Sequence, residues 1–271
     1  MKPKLIAIDL DGTTLNGQSE FNHITSQTLH RLTELGHKVA IVTGRPYRSS
    51  KHLYEELGLG GPIVNFNGAL CHIPADEDWV GGYHITLDES IVFDMLDFHK
   101  ELECDYFLVE GKHHLYATIE NIPDSPYYPK DQPPILLQKD TKLKEKPTAI
   151  TVFSSVEKQK SIKEKIIQRY GKNIDVRTWG GDMPCLEIVT NGVHKASGVE
   201  HLAKYYGIAN EDILAFGDED NDFEMIEYAG LGVAMNNAID SLKEIADDIT
   251  PLPHDQDGLA HYLINYFKLE A

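Results

Sequence analysis

The sequence is poor in cysteine and contains no long apolar run. Its three cysteines, Cys71, Cys104 and Cys185, are an odd number at wide spacing, and none belongs to a Cys-x-x-Cys motif. Such usage argues against a disulfide framework and against a zinc site built from cysteine. No apolar run approaches the roughly 18 residues of a membrane span, and the first predicted strand leaves no room for a signal peptide before it. We therefore expect a cytoplasmic protein with no membrane partner.

Positive charge is also scarce. The 271 residues include 25 Lys+Arg against 43 Asp+Glu, which gives a formal charge of −18. This balance argues against nucleic acid and anionic membrane as partners, and it means that an anionic substrate needs a locally positive site. The length suits one large domain or two modest ones.

Two carboxylates follow the first predicted strand, which is the apolar run Leu5–Ile8. Asp9 and Asp11 are two residues apart, so on an extended chain they point the same way, and Gly12 permits a sharp turn beyond them. Neighbouring carboxylates repel each other unless a cation lies between them or one is protonated. A hard cation with oxygen ligands, such as Mg²⁺, removes that repulsion. The alternative interpretation is an ordinary turn, since Asp and Gly are common in turns.

Strand and helix patterns then alternate. Apolar runs at 38–42 and 62–66 are separated by a helical pattern, which predicts βαβ units and a parallel sheet. Ligands of such sheets bind at the carboxyl ends of the strands. The two runs end in polar turns that contain the candidate binding residues Thr43, Gly44, Arg45, Asn67 and Gly68. For Arg45 and Asn67 the alternative is a role in capping and turning the chain.

The pattern changes over residues 83–188. Short strand patterns, two helical patterns and a hairpin signal at Gly111-Lys112 predict an α+β insert with an antiparallel sheet. We therefore predict a core of residues 1–82 and 189–271 and an inserted domain of residues 83–188. The turn at 180–183 and the pair Tyr127-Tyr128 either face a substrate from this insert or are plain loop.

The second half of the core contributes further candidates. Lys195 stands at the start of a helical pattern, and Asp218, Asn221 and Asp222 follow the apolar run 213–216. Taken alone, Lys195 is typical of a solvated surface and the acidic run is typical of a turn. Because each group follows its own strand or opens its own helix at one edge of the sheet, we predict that they converge with Asp9.

The chemistry that these groups suggest is phosphoryl transfer to a carboxylate. Asp9 is the candidate nucleophile, and Asp11 the candidate acid and base for the leaving oxygen and the attacking water. Mg²⁺ would be held by Asp9, Asp218 and a backbone carbonyl, which we assign to Asp11. Thr43 and Lys195 would hold the phosphate oxygens.

Four stretches together resemble the four signature motifs of the haloacid dehalogenase (HAD) superfamily: residues 9–13, residues 43–45, Lys195 and residues 217–222. Residues 65–69, the long insert and residues 186–188 resemble its Cof-type subfamily. The resemblance implies a Rossmann-like core with a C2-type α/β cap, Mg²⁺ dependence and action on small phosphorylated metabolites. It implies that Asp9 is the nucleophile, Asp11 the acid and base, and Asp218 a metal ligand. By the same resemblance Thr43 and Lys195 bind phosphate, and Asn221 and Asp222 support them.

Three functions remain open at this point. A phosphatase of small phosphate monoesters is the leading hypothesis, and the second Asp of the pair favours either it or a phosphomutase. A binding protein that senses a metabolite and turns it over slowly is the third.

Overall fold

The computed structural model describes residues 2–123, 128, 133–179 and 183–269. The chain divides into two units. Unit 1 comprises Met1–Gly44, Lys51–Tyr83 and His194–Ala271, and unit 2 comprises Arg45–Ser50 and His84–Val193. The expected insert, 83–188, differs from unit 2 by one residue at the first crossing, by residues 189–193 at the second, and by the segment Arg45–Ser50. Within unit 2 that segment is tied to a strand by the ion pair of Arg48 Nη2 with Glu110 Oε2, at 3.0 Å.

The elements alternate as the sequence predicts at the start and end of the chain. The strands are β1 Leu5–Ile8, β2 Lys38–Val42, β3 Ile63–Asn65, β4 Leu70–His72, β5 Tyr83–His84, β6 Tyr106–Glu110, β7 Leu115–Ala117, β8 Ile135–Leu136, β9 Ala149–Phe153, β10 Ile174–Trp179, β11 Cys185–Thr190, β12 Ile213–Gly217, β13 Leu231–Ala234 and β14 Asp248–Ile249. The α-helices are α1 His23–Glu34, α2 Tyr47–Leu57, α3 Glu89–Leu102, α4 Val156–Tyr170, α5 Lys195–Tyr206, α6 Phe223–Tyr228, α7 Asp240–Ile245 and α8 Gly258–Phe267. Within the described ranges, none of these helices has the length and apolar character needed to cross a membrane.

The sheet of unit 1 has eight strands in the order β14-β13-β12-β1-β2-β3-β4-β5. The strands from β14 to β3 are parallel, and β4 returns antiparallel to β3. Every residue of β1 is buried, as expected for a central parallel strand covered on both faces. Helix α1 packs on α8, and α5 packs on α6. Because neighbouring parallel strands end at one edge, the residues that follow β1, β2, β3 and β12 meet there.

The β14 end of this sheet is short and polar. Tyr262 donates its hydroxyl hydrogen bond to Asp248 Oδ2 at 2.9 Å, and the backbone N–H of Ile249 donates to Asp248 Oδ1 at 2.8 Å. The one carboxylate therefore holds both a neighbouring helix and its own strand.

Unit 2 is built on a six-stranded sheet in the order β10-β11-β9-β6-β7-β8. Its strands pair antiparallel, as predicted, except that β8 runs parallel to β7. The sequence between β7 and β8 is long enough for the crossover that a parallel pair requires. Apolar residues of α3 and α4, among them Val92, Met95 and Ile162, share one buried cluster with residues of the sheet.

Candidate active site

Asp9 is the first residue beyond the central strand of unit 1. Its backbone N–H donates to the carbonyl of Phe216 at 3.1 Å, so the pairing of β1 with β12 continues through it. The Thr14 hydroxyl donates to the Asp9 carbonyl oxygen. These bonds fix the backbone of Asp9, and its side chain is buried. Asp11 is half-buried and lies near enough to act on the charge of Asp9.

Lys195 is the first residue of α5 and is 0% exposed, unlike the solvated lysine that its position alone suggested. Its Nζ donates to Asp9 Oδ1 at 2.7 Å and to Asp222 Oδ1 at 2.6 Å. A buried ammonium group between two carboxylates joins the end of β1 to the turn after β12.

Asp222 holds the turn that carries Asp218. Its second oxygen, Oδ2, accepts from the backbone N–H groups of Asp218 and Glu219 at 2.9 and 3.2 Å. Asp218 Oδ1 in turn accepts from the Thr13 hydroxyl at 2.8 Å. Sequence reasoning did not assign Thr13 a role. The available signal was a hydroxyl directly after the turn glycine.

Gly12 makes room for Asp218. Its φ is +71°, and a Cβ atom built on it would lie 2.1 Å from Asp218 Oδ2. A side chain at this position would therefore be strained and would displace the carboxylate. The turn that carries Asp11 and the carboxylate of Asp218 fit together because residue 12 has no side chain.

The side chains of Asp9, Asp218 and Asp222 form an acidic cluster, with carboxylate oxygens within 4.8 Å of one another. When all three carboxylates are ionised, the one ammonium group leaves two negative charges without a partner among these four groups. All the ligand atoms on offer are oxygens. The charge and the donor set both fit a divalent hard cation such as Mg²⁺. The predicted ligands were Asp9, Asp11 and Asp218, so the cluster contains two of those side chains together with Asp222.

Burial governs the ionisation of this cluster. It raises the pKa of Asp9 to about 7, aided by the charges of Asp222 and Asp11 and opposed by Lys195. Burial and the carboxylates of Asp9 and Asp222 raise the pKa of Asp218 to about 8. For Lys195, burial lowers the pKa, but the two carboxylates outweigh it, so the pKa is raised and the group stays charged. The cluster holds more negative potential than its one lysine neutralises.

The loop after β2 lies against residues from two other loops. Thr43 is buried, its N–H donates to the Val64 carbonyl at 2.9 Å, and its own carbonyl accepts from the Asn67 N–H at 3.1 Å. Asn221 Nδ2 donates to Asn67 Oδ1 at 2.9 Å. A Cβ atom on Gly44 would lie 3.1 Å from Asn67 Oδ1 and 3.3 Å from Asn221 Nδ2. The predicted residues Thr43, Gly44, Asn67 and Asn221 are thus brought together.

Other predicted positions are placed differently. Arg45 is buried in the segment that belongs to unit 2, where its Nη1 donates to the Ser49 carbonyl at 3.5 Å. Tyr128 is half-buried in unit 2. Tyr127 and residues 180–182 lie outside the described residues. For these positions a contact with substrate stays a prediction.

Comparisons with known proteins place the chain in a family. A family model described as haloacid dehalogenase-like hydrolase matches residues 6–263, and the chain belongs to that family. The 5-amino-6-(5-phospho-D-ribitylamino)uracil phosphatase YitU of Bacillus subtilis (strain 168) is 38% identical over 270 residues, covering 99% of each chain. A second phosphatase of B. subtilis (strain 168) with the same named substrate, YwtE, is 29% identical over 292 residues and covers 96% of each chain. A solved haloacid dehalogenase-like hydrolase from Bacteroides thetaiotaomicron is 27% identical with a TM-score of 0.84, covering 98% of this chain and 100% of its own.

These similarities confirm the resemblance seen in the motifs. The family, the α/β fold class with a Rossmann-like core and the prediction of a hydrolytic enzyme are correct. The two named B. subtilis relatives, which this chain matches over nearly its whole length, are phosphatases named for one phosphorylated metabolite.

Proposed function

We propose that the protein hydrolyses a phosphate monoester in two steps, with Asp9 as the nucleophile. The observation that carries the proposal is the buried Lys195, whose ammonium group binds Asp9 and Asp222 in a cluster that still has negative charge in excess. A carboxylate held in this way is oriented for attack, and a lysine beside it also suits the oxygens of a bound phosphate.

Asp9 carries the phosphoryl group between the two steps, and Asp11 carries the proton. In the first, a carboxylate oxygen of Asp9 attacks phosphorus, the bond from phosphorus to the ester oxygen breaks, and Asp11 gives a proton to that leaving oxygen. In the second, Asp11 takes a proton from water as the water attacks phosphorus. The acyl phosphate bond breaks, inorganic phosphate leaves and Asp9 is restored.

Phosphate oxygens would be held by Lys195 and by the loop of Thr43 and Gly44, whose predicted neighbours are Arg45, Asn67, Gly68 and Asn221. Bound Mg²⁺ would supply charge neutralisation for the carboxylate and the phosphate. We assign its binding to Asp9, Asp218 and the backbone carbonyl of Asp11. Asp222 is the supporting residue, because both of its oxygens already hold Lys195 and the backbone of the Asp218 turn.

The first substrate to test is 5-amino-6-(5-phospho-D-ribitylamino)uracil, the compound named for two relatives that match this chain over nearly its whole length. We further propose that unit 2 is a cap that sets substrate preference, since the proposed catalytic groups lie in unit 1. A chimera that carries the cap of another family member should adopt that member's preferred substrate. A preference that followed unit 1 would contradict this division.

The test of the mechanism compares wild type, Asp9→Asn and the control Asp240→Asn, an exposed aspartate at the start of α7. Each protein is mixed with the ribitylaminouracil phosphate, with a panel of sugar phosphates and with p-nitrophenyl phosphate, with Mg²⁺ or with EDTA. Released phosphate is measured, and acid-quenched protein is analysed by mass spectrometry for phosphate on Asp9.

We expect wild type and the control to release phosphate in the presence of Mg²⁺, and Asp9→Asn to be folded, inactive and never phosphorylated. Turnover by folded Asp9→Asn would remove Asp9 as nucleophile. Full activity after exhaustive chelation would contradict the proposed role of Mg²⁺. Transfer of the phosphoryl group to a second sugar instead of water would indicate the phosphomutase.

A further inference from the structure

The turn Phe66–Gly68, directly after β3, has three successive residues with positive φ: 52° for Phe66, 54° for Asn67 and 109° for Gly68. All three residues are buried. Asn adopts this left-handed region more readily than most residues, but a bulky Phe there is an outlier. Such a backbone persists only where its surroundings over-determine it.

Three contacts hold the turn. The backbone N–H of Asn67 donates to the Thr43 carbonyl at 3.1 Å, and its side-chain Oδ1 accepts from Asn221 Nδ2 at 2.9 Å. The Gly68 carbonyl accepts from the Tyr83 hydroxyl at 2.8 Å. The turn is therefore anchored to the loop after β2, to the turn after β12 and to Tyr83 at the start of β5.

A fourth contact joins the turn to the residue before α5. A Cβ atom on Gly68 would lie 2.3 Å from the carbonyl oxygen of His194, the residue before Lys195. The backbone of Gly68 thus touches the residue that leads into the buried lysine. The same short turn contacts Thr43, the residue before Lys195 and the residue before Asp222, which come from three separate parts of the sequence.

We propose that Asn67 is a positioning residue, whose amide sets the spacing between the Thr43-Gly44 loop and the Asn221-Asp222 turn, and that it does not itself bind phosphate. This inference rests on the proposed function for its effect on turnover. Asn67 is fully buried, and its amide oxygen is already bonded to Asn221. Because Asp222 holds both Lys195 and the backbone of Asp218, a shift of Asn221 would be passed to the groups that surround Asp9.

The test uses Asn67→Gly, Asn221→Ala and the double variant. Glycine keeps the positive φ and the backbone bond to Thr43, so Asn67→Gly removes the amide without adding strain. Asn221→Ala removes the same bond from the other side and leaves the turn's own sequence unchanged, so it serves if the first variant does not fold. The matched control is Tyr54→Phe, which deletes a bond from a tyrosine hydroxyl to the Gly61 carbonyl at 2.8 Å elsewhere in unit 1.

We expect Asn67→Gly to lower kcat by roughly 10- to 100-fold, the cost of a misplacement of about 1 Å, with KM changed by less than about threefold. In the Asn221→Ala background, Asn67→Gly should have almost no further effect, since the bond is already lost. Hydrogen exchange provides a readout without turnover. The backbone amides at 43–45 and 219–222 should exchange faster in either single variant than in the wild type. In Tyr54→Phe their exchange rates should be those of the wild type.

The opposite pattern would overturn the proposal. A raised KM at unchanged kcat, with effects that multiply in the double variant, would make Asn67 a direct phosphate ligand. Unchanged exchange at 43–45 and 219–222 would also overturn it. If the wild type hydrolyses none of the phosphate esters, the proposed function fails, and the exchange data still decide whether Asn67 spaces the two loops.

Discussion

Replacing Lys195 by methionine removes a buried charge and keeps a side chain of similar length. Lys195 Nζ lies 2.7 Å from Asp9 Oδ1 and 2.6 Å from Asp222 Oδ1. Removing one partner of a buried ion pair costs about 3–5 kcal/mol, because the remaining charge stays desolvated. That loss is a large share of a usual free energy of unfolding of about 5–15 kcal/mol. We expect Tm to fall by about 6–20 °C, at about 2–4 °C per kcal/mol.

The stability deficit of Lys195→Met should grow as pH rises. In the wild type, burial already raises the pKa of Asp9 to about 7. Loss of the ammonium group raises it further, so the folded variant keeps a proton that the unfolded chain releases above about pH 4. A group with a raised folded-state pKa contributes stability below its unfolded pKa and loses it as pH rises. The deficit should therefore be larger near about pH 8 than near about pH 5.

The assay is urea unfolding followed by circular dichroism, with EDTA present so that no cation replaces the lysine. The control is Lys204→Met on the same helix, α5. Lys204 pairs with Glu200 at 2.8 Å, but its side chain is 73% exposed, so its loss should change stability little. Equal stability of the two variants would refute the reasoning from burial. A deficit that is the same at both pH values would refute the role of the Asp9 proton.

Three further outcomes are expected. For metal-free wild type, the free energy of unfolding should fall as pH rises from about 4 to about 8, because the pKa values of Asp9 and Asp218 are raised to about 7 and about 8 from about 3.9 in the unfolded chain. Mg²⁺ or Asp218→Asn should flatten that slope in urea titrations, and an unchanged slope would contradict the assignment. Gly12→Ala should lose turnover and Mg²⁺-dependent stabilisation in phosphate-release and melting assays, because its Cβ would lie 2.1 Å from Asp218 Oδ2. The control Gly17→Ala, which has open space around residue 17, should lose neither. Asp11→Asn should slow the first step with a sugar phosphate by roughly 10²–10⁴-fold, yet release about one equivalent of nitrophenol from p-nitrophenyl phosphate and then stall as phosphoenzyme, as rapid mixing would show. Wild-type rates on both substrates would remove Asp11 from the mechanism.

The strand ends were predictable from the sequence because each short apolar run is followed at once by polar residues. Asp9 after β1 and Asp218 after β12 are brought together by a rule of parallel sheets, and no knowledge of side-chain contacts is needed. Helix α4, Val156–Tyr170, is one of the helices that the helical patterns of the insert predicted, since its apolar positions recur at helical spacing.

Contacts that depend on tertiary placement were not predictable. Nothing in the residues around Lys195 indicates complete burial, because burial follows from two carboxylates that are distant in sequence. Nor does the sequence indicate that β8 pairs parallel to β7, because that depends on where a long connection returns. Strand β14 has two residues, which are too few for a periodic pattern to indicate a strand.

The β14 end of the sheet also bears on how the protein behaves at high concentration. An unpaired strand edge is a template for a strand from another molecule, and proteins limit this hazard with short edges and charge. Here the outward N–H of Ile249 is already bonded to the carboxylate of Asp248, which Tyr262 holds in place. An incoming strand would have to break that bond and approach an acid on a chain of formal charge −18. The β14 edge is therefore a poor template for a further strand.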